Sequence, residues 1–201
     1  MASLAAPVPA PRPRVLGDVL PGARTRDVLL VFAGALLTAL AAQIAIPVPP
    51  SPVPVTGQTL AVVLVGASLG ASRGMAALAL YLVLGLVLPV YADGASGPDV
   101  VWGATGGYLV GFVLAAGLVG HLAERGADRR PLVAFAAFCG GQLAVFGIGV
   151  PWLKVSTGMD WSTDVHDGFA IFIVGGLIKA LVGAGLVPAA WRAVRRLDER
   201  G

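Results

Sequence analysis

Charge is scarce in this chain. Lysine, arginine, aspartate and glutamate make up 12% of its 201 residues, about half of what a soluble domain carries. The 11 acidic residues stay out of the interior of every long apolar run. There is one cysteine, Cys139, so no disulfide can form within the chain, and its apolar surroundings fit a small buried hydrophobe. No GxxxxGK[ST] phosphate loop occurs, so the chain cannot itself use ATP. The apolar runs hold no set of acid, base and nucleophile, and His121 and His166 fall at or beyond their ends, which argues against an enzyme. The first 26 residues, rich in Pro, Ala and Arg, lack the apolar run of a signal peptide.

What is present is hydrophobic: 57% of the residues. Six apolar stretches follow one another at residues 27–46, 58–69, 75–91, 104–122, 131–150 and 169–191. They predict an all-α integral membrane protein with six transmembrane helices. The second stretch spans only ~18 Å at 1.5 Å per residue, short of a ~30 Å hydrocarbon core. Residues 1–26 are expected to be a mostly disordered cytoplasmic tail with a short interfacial piece near residues 15–20. Residues 27–191 form the membrane domain, and 192–201 a basic cytoplasmic tail.

Orientation follows from the cations. Of the 14 basic residues, all but Lys154 and Lys179 fall in the two tails, at Arg73, or in the turn holding Arg125, Arg129 and Arg130. These alternate with the spans so as to lie on one side. The positive-inside rule therefore places both termini in the cytoplasm. The basic residues are topological signals and do not form a nucleic-acid surface. Three unusual loops then face outward: residues 47–57, with five prolines that forbid a helix, residues 92–103, and residues 151–168. The first reads by itself equally as a lid over a site or as a rigid connector; the short second stretch, which leaves part of the bilayer depth to it, favours the lid.

Lys179 sits inside the sixth stretch. A cation at that depth costs at least ~2.5–3.5 kcal/mol, and no acidic residue falls within its run. Gly175, Gly176 and Gly183 at helical spacing let a helix or ligand approach. Either Lys179 receives an anionic or strongly hydrogen-bonding ligand, or it sheds its proton or bonds backbone carbonyls. The first alternative is preferred, because intramembrane ionisable groups are usually functional. Small residues recur four apart elsewhere: Ala35 and Ala39, Ala41 and Ala45, and Gly103, Gly107 and Gly111. Each spacing makes a helix-docking face.

In order, PVPVTGQT (52–59), LPVYADG (88–94), TGGYLVGF (105–112), GVPWLKVSTGM (149–159) and GGLIKALVGAGL (175–186) resemble the BioY family. This is the biotin-specific membrane component, or S component, of energy-coupling-factor transporters. The resemblance implies a six-helix bundle in the bacterial cytoplasmic membrane that captures biotin from outside with high affinity. It implies a membrane coupling subunit and a pair of ATPases as partners, toppling of the S component in the membrane to release biotin inward, and docking of the coupling subunit at Ala35 and Ala39. It implies no cofactor; biotin is the transported substrate. One departure stands out. The family pattern Pro-Gly-Asp-Leu-Ile-Lys keeps Lys179 here but has Gly176 in place of the aspartate.

Set against biotin, Lys179 can donate to the carboxylate or to the ureido carbonyl. Thr56, Gln58 and Thr105 can exchange hydrogen bonds with its polar ends, and Gly106 and Gly107 would let backbone approach a ring. Tyr81, Tyr91, Trp102 and Tyr108 supply apolar walls with a polar tip or, for Tyr91 and Trp102, interfacial anchors. Gln142 is either a substitute polar group for the missing aspartate or a bond to a neighbouring helix. Two other readings stay open: an S component for another small vitamin, and a stand-alone oligomeric biotin carrier.

Overall fold

The computed structural model describes residues 15–22, 24–158 and 160–199. The chain is nearly all helical. α1 (Arg24–Ala42), α5 (Gly106–Glu124), α6 (Pro131–Thr157) and a stretch within residues 161–197 are long and apolar enough to cross a membrane. That last stretch contains the short α7 (Trp161–Gly168) and the long α8 (Ile173–Asp198). α2 (Gln58–Leu69) and α3 (Ala71–Gly85) are apolar but shorter, and α4 (Pro98–Trp102) is a single turn. Between α1 and α2 the proline-rich segment folds back as an antiparallel ribbon, β1 (Ala45–Ile46) against β2 (Val55–Thr56), with Ala45 opposite Thr56.

α5 is the central stave. It packs against α6, α2 and α3, and its small residues make this possible. A Cβ at Gly120 would lie 2.4 Å from the Ala71 backbone nitrogen, and one at Gly111 2.9 Å from the Val145 carbonyl. The buried residues form two clusters. One holds Leu78, Tyr81, Tyr91, Tyr108, Phe112 and Leu153. The other holds Val15, Val63, Val119, Phe138 and Trp191. The outer surface is also apolar, with Phe32, Leu36, Leu40, Leu132, Leu143 and Leu181 exposed. Such a surface suits lipid, not water.

The elements depart from the expected boundaries in three places. Residues 15–22 are folded: Leu16–Val19 is a 3-10 turn, and Val15 is 1% exposed. The Asp18 carboxylate accepts from the Val15 N–H at 3.2 Å and pairs with Arg73 at 2.6 Å, while Arg73 also reaches Asp27 at 3.1 Å. Those charges hold the segment on the α2–α3 turn. The remainder of the expected disordered tail before α1, residues 1–14, lies outside the described residues. α6 continues through Pro151 to Thr157, anchored by fully buried Leu153 and closed by Gly158 at φ 71°. Within the expected loop 151–168, residues 151–157 and 161–168 are consequently helical. Finally, α8 carries the helix through Arg192, Arg195 and Arg196, so the expected basic tail is largely a helix end. Its cations there suit the helix macrodipole.

Candidate ligand-binding site

A cavity of about 300 Å³ lies among α2, α5, α6 and α8. It is at the small end of the range for ligand sites. Val53, Pro54 and Thr56 of the ribbon line it on one side, and Tyr91, Ala92, Asp93 and Ala95 of the α3–α4 connection on another. The ribbon therefore forms part of the site wall.

Lys179 reaches this cavity from α8. Its ammonium donates to the Thr56 carbonyl at 2.5 Å and to Thr59 Oγ1 at 3.0 Å. No ion pair among the described residues includes it. An ammonium carries three donors, so one remains for a ligand. The backbone-carbonyl alternative and the ligand alternative are thus compatible: two bonds hold the head in place and the third is available.

A second polar group stands beside it. The Thr56 hydroxyl donates to Gln58 Oε1 at 2.8 Å. Gln58 Nε2 donates to the Tyr81 hydroxyl at 2.7 Å, which in turn donates to the Val90 carbonyl at 3.2 Å. Gln43, just beyond α1, holds the same connection through the Tyr91 carbonyl at 3.2 Å. The third group is Gln142 of α6. Its Nε2 donates to the Gly176 carbonyl at 2.7 Å, which turns the side-chain oxygen to the opposite side of the amide.

Aromatic rings complete the walls. Phe146 is central, with ring centroids 6.2 Å from Tyr108 and 5.9 Å from Phe172. The Tyr108 hydroxyl donates to the Gly168 carbonyl at 2.9 Å, leaving its ring face to the cavity.

Of the residues expected from sequence, Thr56, Gln58, Tyr91, Thr105, Tyr108, Gln142 and Lys179 come together here. Four do not. Tyr81 is 1% exposed and stands behind Gln58. Trp102 is 71% exposed and stacks on Trp152 at 5.9 Å. Gly106 and Gly107 are small for packing reasons: a Cβ would lie 1.7 Å from the Val101 carbonyl at Gly106, and 2.2 Å from Trp152 Cβ at Gly107. Thr59, Phe112, Phe146 and Phe172 line the cavity without having been expected. Helical spacing carries the signal for three of them: Phe112 is four residues beyond Tyr108, Phe146 four beyond Gln142, and Phe172 four before Gly176.

A model of the BioY family matches residues 13–196. The chain belongs to the BioY family. It is 38% identical over 154 residues to "Biotin transporter BioY2" of Lactococcus lactis subsp. cremoris (strain MG1363), covering 76% of this chain and 83% of that relative. It is 34% identical over 169 residues to "Biotin transporter BioY" of Rhizobium etli, covering 80% and 90%. Its fold matches the crystal structure of an S-component for biotin from an ECF-type ABC transporter with a TM-score of 0.73 at 24% identity, over 90% of this chain and 96% of that one.

In this BioY-family chain the alanine pair of α1 does not face outward. Ala35 is 1% exposed and Ala39 packs on the same core cluster. The spacing is used to dock α1 onto its own bundle, which leaves no Ala35 surface for a partner. The exposed face of α1 carries Phe32, Leu36 and Leu40 instead. At Gly176, where the BioY pattern described above has an aspartate, a Cβ would lie 2.5 Å from Gln142 Oε1. Gln142 occupies the room that a side chain would need.

Proposed function

We propose that this chain is the biotin-binding S component of an energy-coupling-factor transporter. It spans the bacterial cytoplasmic membrane six times with both termini inside, the spans being α1, α2, α3, α5, α6 and α8. The cation distribution supports that topology. The short α2 fits it because the ribbon takes up the remaining depth, where irregular backbone is tolerated against a cavity. Without a phosphate loop of its own, the chain works with a coupling subunit and paired ATPases. It performs no chemistry and uses biotin as cargo.

The observation that carries this reading is the polar end of the cavity. Lys179 and Gln58 offer donors, Gln142 sets its side-chain oxygen beside Gly176 on the cavity wall, and aromatic walls stand next to them. A ureido group has a carbonyl acceptor flanked by two N–H donors and complements that pattern. A carboxylate, which only accepts, would leave the Gln142 oxygen facing negative charge. The ureido ring therefore goes to Lys179, and the valerate chain extends away from it along the cavity.

Titrating biotin into the detergent-purified chain tests this. Saturable nanomolar binding, retained by biotin amidated at its carboxylate, is the expected result. Absence of binding by folded protein would overturn the assignment and direct the search to other small vitamins. Co-purification with ATPase subunits separates the S component from a stand-alone carrier.

A further inference from the structure

We propose that Tyr81 is a positioning residue: its hydroxyl fixes the hydrogen-bonding polarity of Gln58 in the ligand cavity. The inference rests on the biotin reading of that cavity.

The argument runs from the end of the chain of bonds that has no choice. The Val90 carbonyl can only accept. Tyr81 Oη lies 3.2 Å from it and 2.7 Å from the Gln58 amide. A phenol has one proton, and the carbonyl takes it. The phenol oxygen must then accept from Gln58, so the group facing Tyr81 is the NH2 and not the C=O. At the other end, Gln58 Oε1 accepts the Thr56 hydroxyl proton at 2.8 Å. Thr56 Oγ1 in turn accepts the backbone N–H of Gln58 at 3.3 Å. All the links run in one direction.

Burial makes the direction binding. Tyr81 is 1% exposed and Gln58 5%, so water does not compensate a reversed amide. A reversed Gln58 would claim the phenol proton and take it from Val90. With the amide fixed, Gln58 has one N–H unused, and its side chain lines the cavity. Lys179 is bound to the carbonyl of the same Thr56 whose hydroxyl holds Gln58. Two donors therefore converge on one place, and an acceptor such as a urea carbonyl is what they select.

Tyr81 does this without lining the cavity, and its removal leaves supports in place. Tyr91 is anchored separately through its hydroxyl to the Leu82 carbonyl at 2.6 Å. Gln43 Nε2 still approaches the Val90 carbonyl at 3.5 Å.

The test compares biotin with 2-iminobiotin, whose guanidinium donates where the urea accepts. Titrations are made with the wild type, Tyr81→Phe, Gln58→Glu and the double variant. Wild type prefers biotin. In Tyr81→Phe the preference narrows by about tenfold, the scale of one mismatched buried hydrogen bond, with little change in melting temperature. Gln58→Glu, which keeps Tyr81 and places only acceptors at that position, shifts the preference the same way. Adding Tyr81→Phe to Gln58→Glu produces no further shift in preference. Equal losses for both ligands in Tyr81→Phe, or a further shift in the double variant, overturn the role of Tyr81. An unchanged preference in Gln58→Glu overturns it also when Tyr81→Phe fails to fold. Wild type that binds neither ligand overturns the biotin reading itself, and this inference with it.

Discussion

Gln142 and Gly176 occupy one site between two helices. The amide nitrogen of Gln142 donates to the Gly176 carbonyl at 2.7 Å, and its oxygen stands 2.5 Å from where a Gly176 Cβ would be. A side chain at 176 must displace the glutamine. Gly176→Ala should weaken biotin binding by about tenfold in the wild type and far less in a Gln142→Ala background. The expected coupling is ~1–2 kcal/mol, within the range for residues in contact. A double-mutant cycle by titration calorimetry checks it; additive losses would refute the shared site.

In the proposed biotin complex, Lys179 gives the ligand a charge-assisted bond. Lys179→Ala should cost at least ~2 kcal/mol of binding, about thirtyfold in affinity. The fold should survive, because the variant also removes a cation for which the described residues supply no carboxylate. Calorimetry and a melting curve on the same sample read the two effects separately, and unchanged affinity would exclude Lys179 as an anchor.

Asp128 provides a pH test away from the ligand. It is 1% exposed, with Oδ2 accepting from Trp191 Nε1 at 2.5 Å and Oδ1 without a partner. Burial pushes its carboxyl above the ordinary value of 3.8, against the opposing pull of the Trp191 bond and of Arg129. A raised pKa in the fold means that the folded chain holds this proton more tightly than the unfolded one. The stability the group contributes is full below the ordinary value and is lost as pH rises through the raised one. Asp128→Asn keeps an acceptor for Trp191 and cannot ionise. It should melt higher than wild type at pH 7, by about 2–4 °C for each kcal/mol recovered, and lose that advantage toward pH 4. A wild-type advantage at pH 7 would contradict the sign.

Gly107 tests close packing. With Trp152 Cβ 2.2 Å from its virtual Cβ, Gly107→Ala should force α5 and α6 apart and cost ~1–3 kcal/mol of stability. Thermal unfolding in detergent reads this directly. A neutral outcome would mean that the α5–α6 spacing is soft.

Much of this was legible in the sequence, for identifiable reasons. The helices follow from long apolar runs, and Lys179 from its isolation among them. Thr56 and Gln58 carried their signal in short polar interruptions next to prolines. What failed were inferences from residue type without direction. Ala35, Gly106 and Gly107 are small in order to pack on neighbours within the chain. Tyr81 and Trp102 have suitable chemistry, but one stands a layer behind the cavity and the other outside it. Phe146 and Phe172 do not stand out by residue type in an apolar run; only their four-residue spacing from Gln142 and Gly176 marks them. A loop is expected from residue 151 on, yet the buried Leu153 gives the helix reason to continue through Pro151.

The tryptophans have an optical consequence. None of the four lines the cavity, so biotin would not quench one by contact. The Trp102–Trp152 stack is joined to the Gly103 carbonyl by an indole N–H at 2.9 Å, two residues from Thr105 on the cavity wall. Any binding-induced shift of α4 would alter the electronic coupling of two stacked indoles tilted by 29°. The near-ultraviolet circular dichroism of the unmodified protein would then carry a native exciton signal of loading.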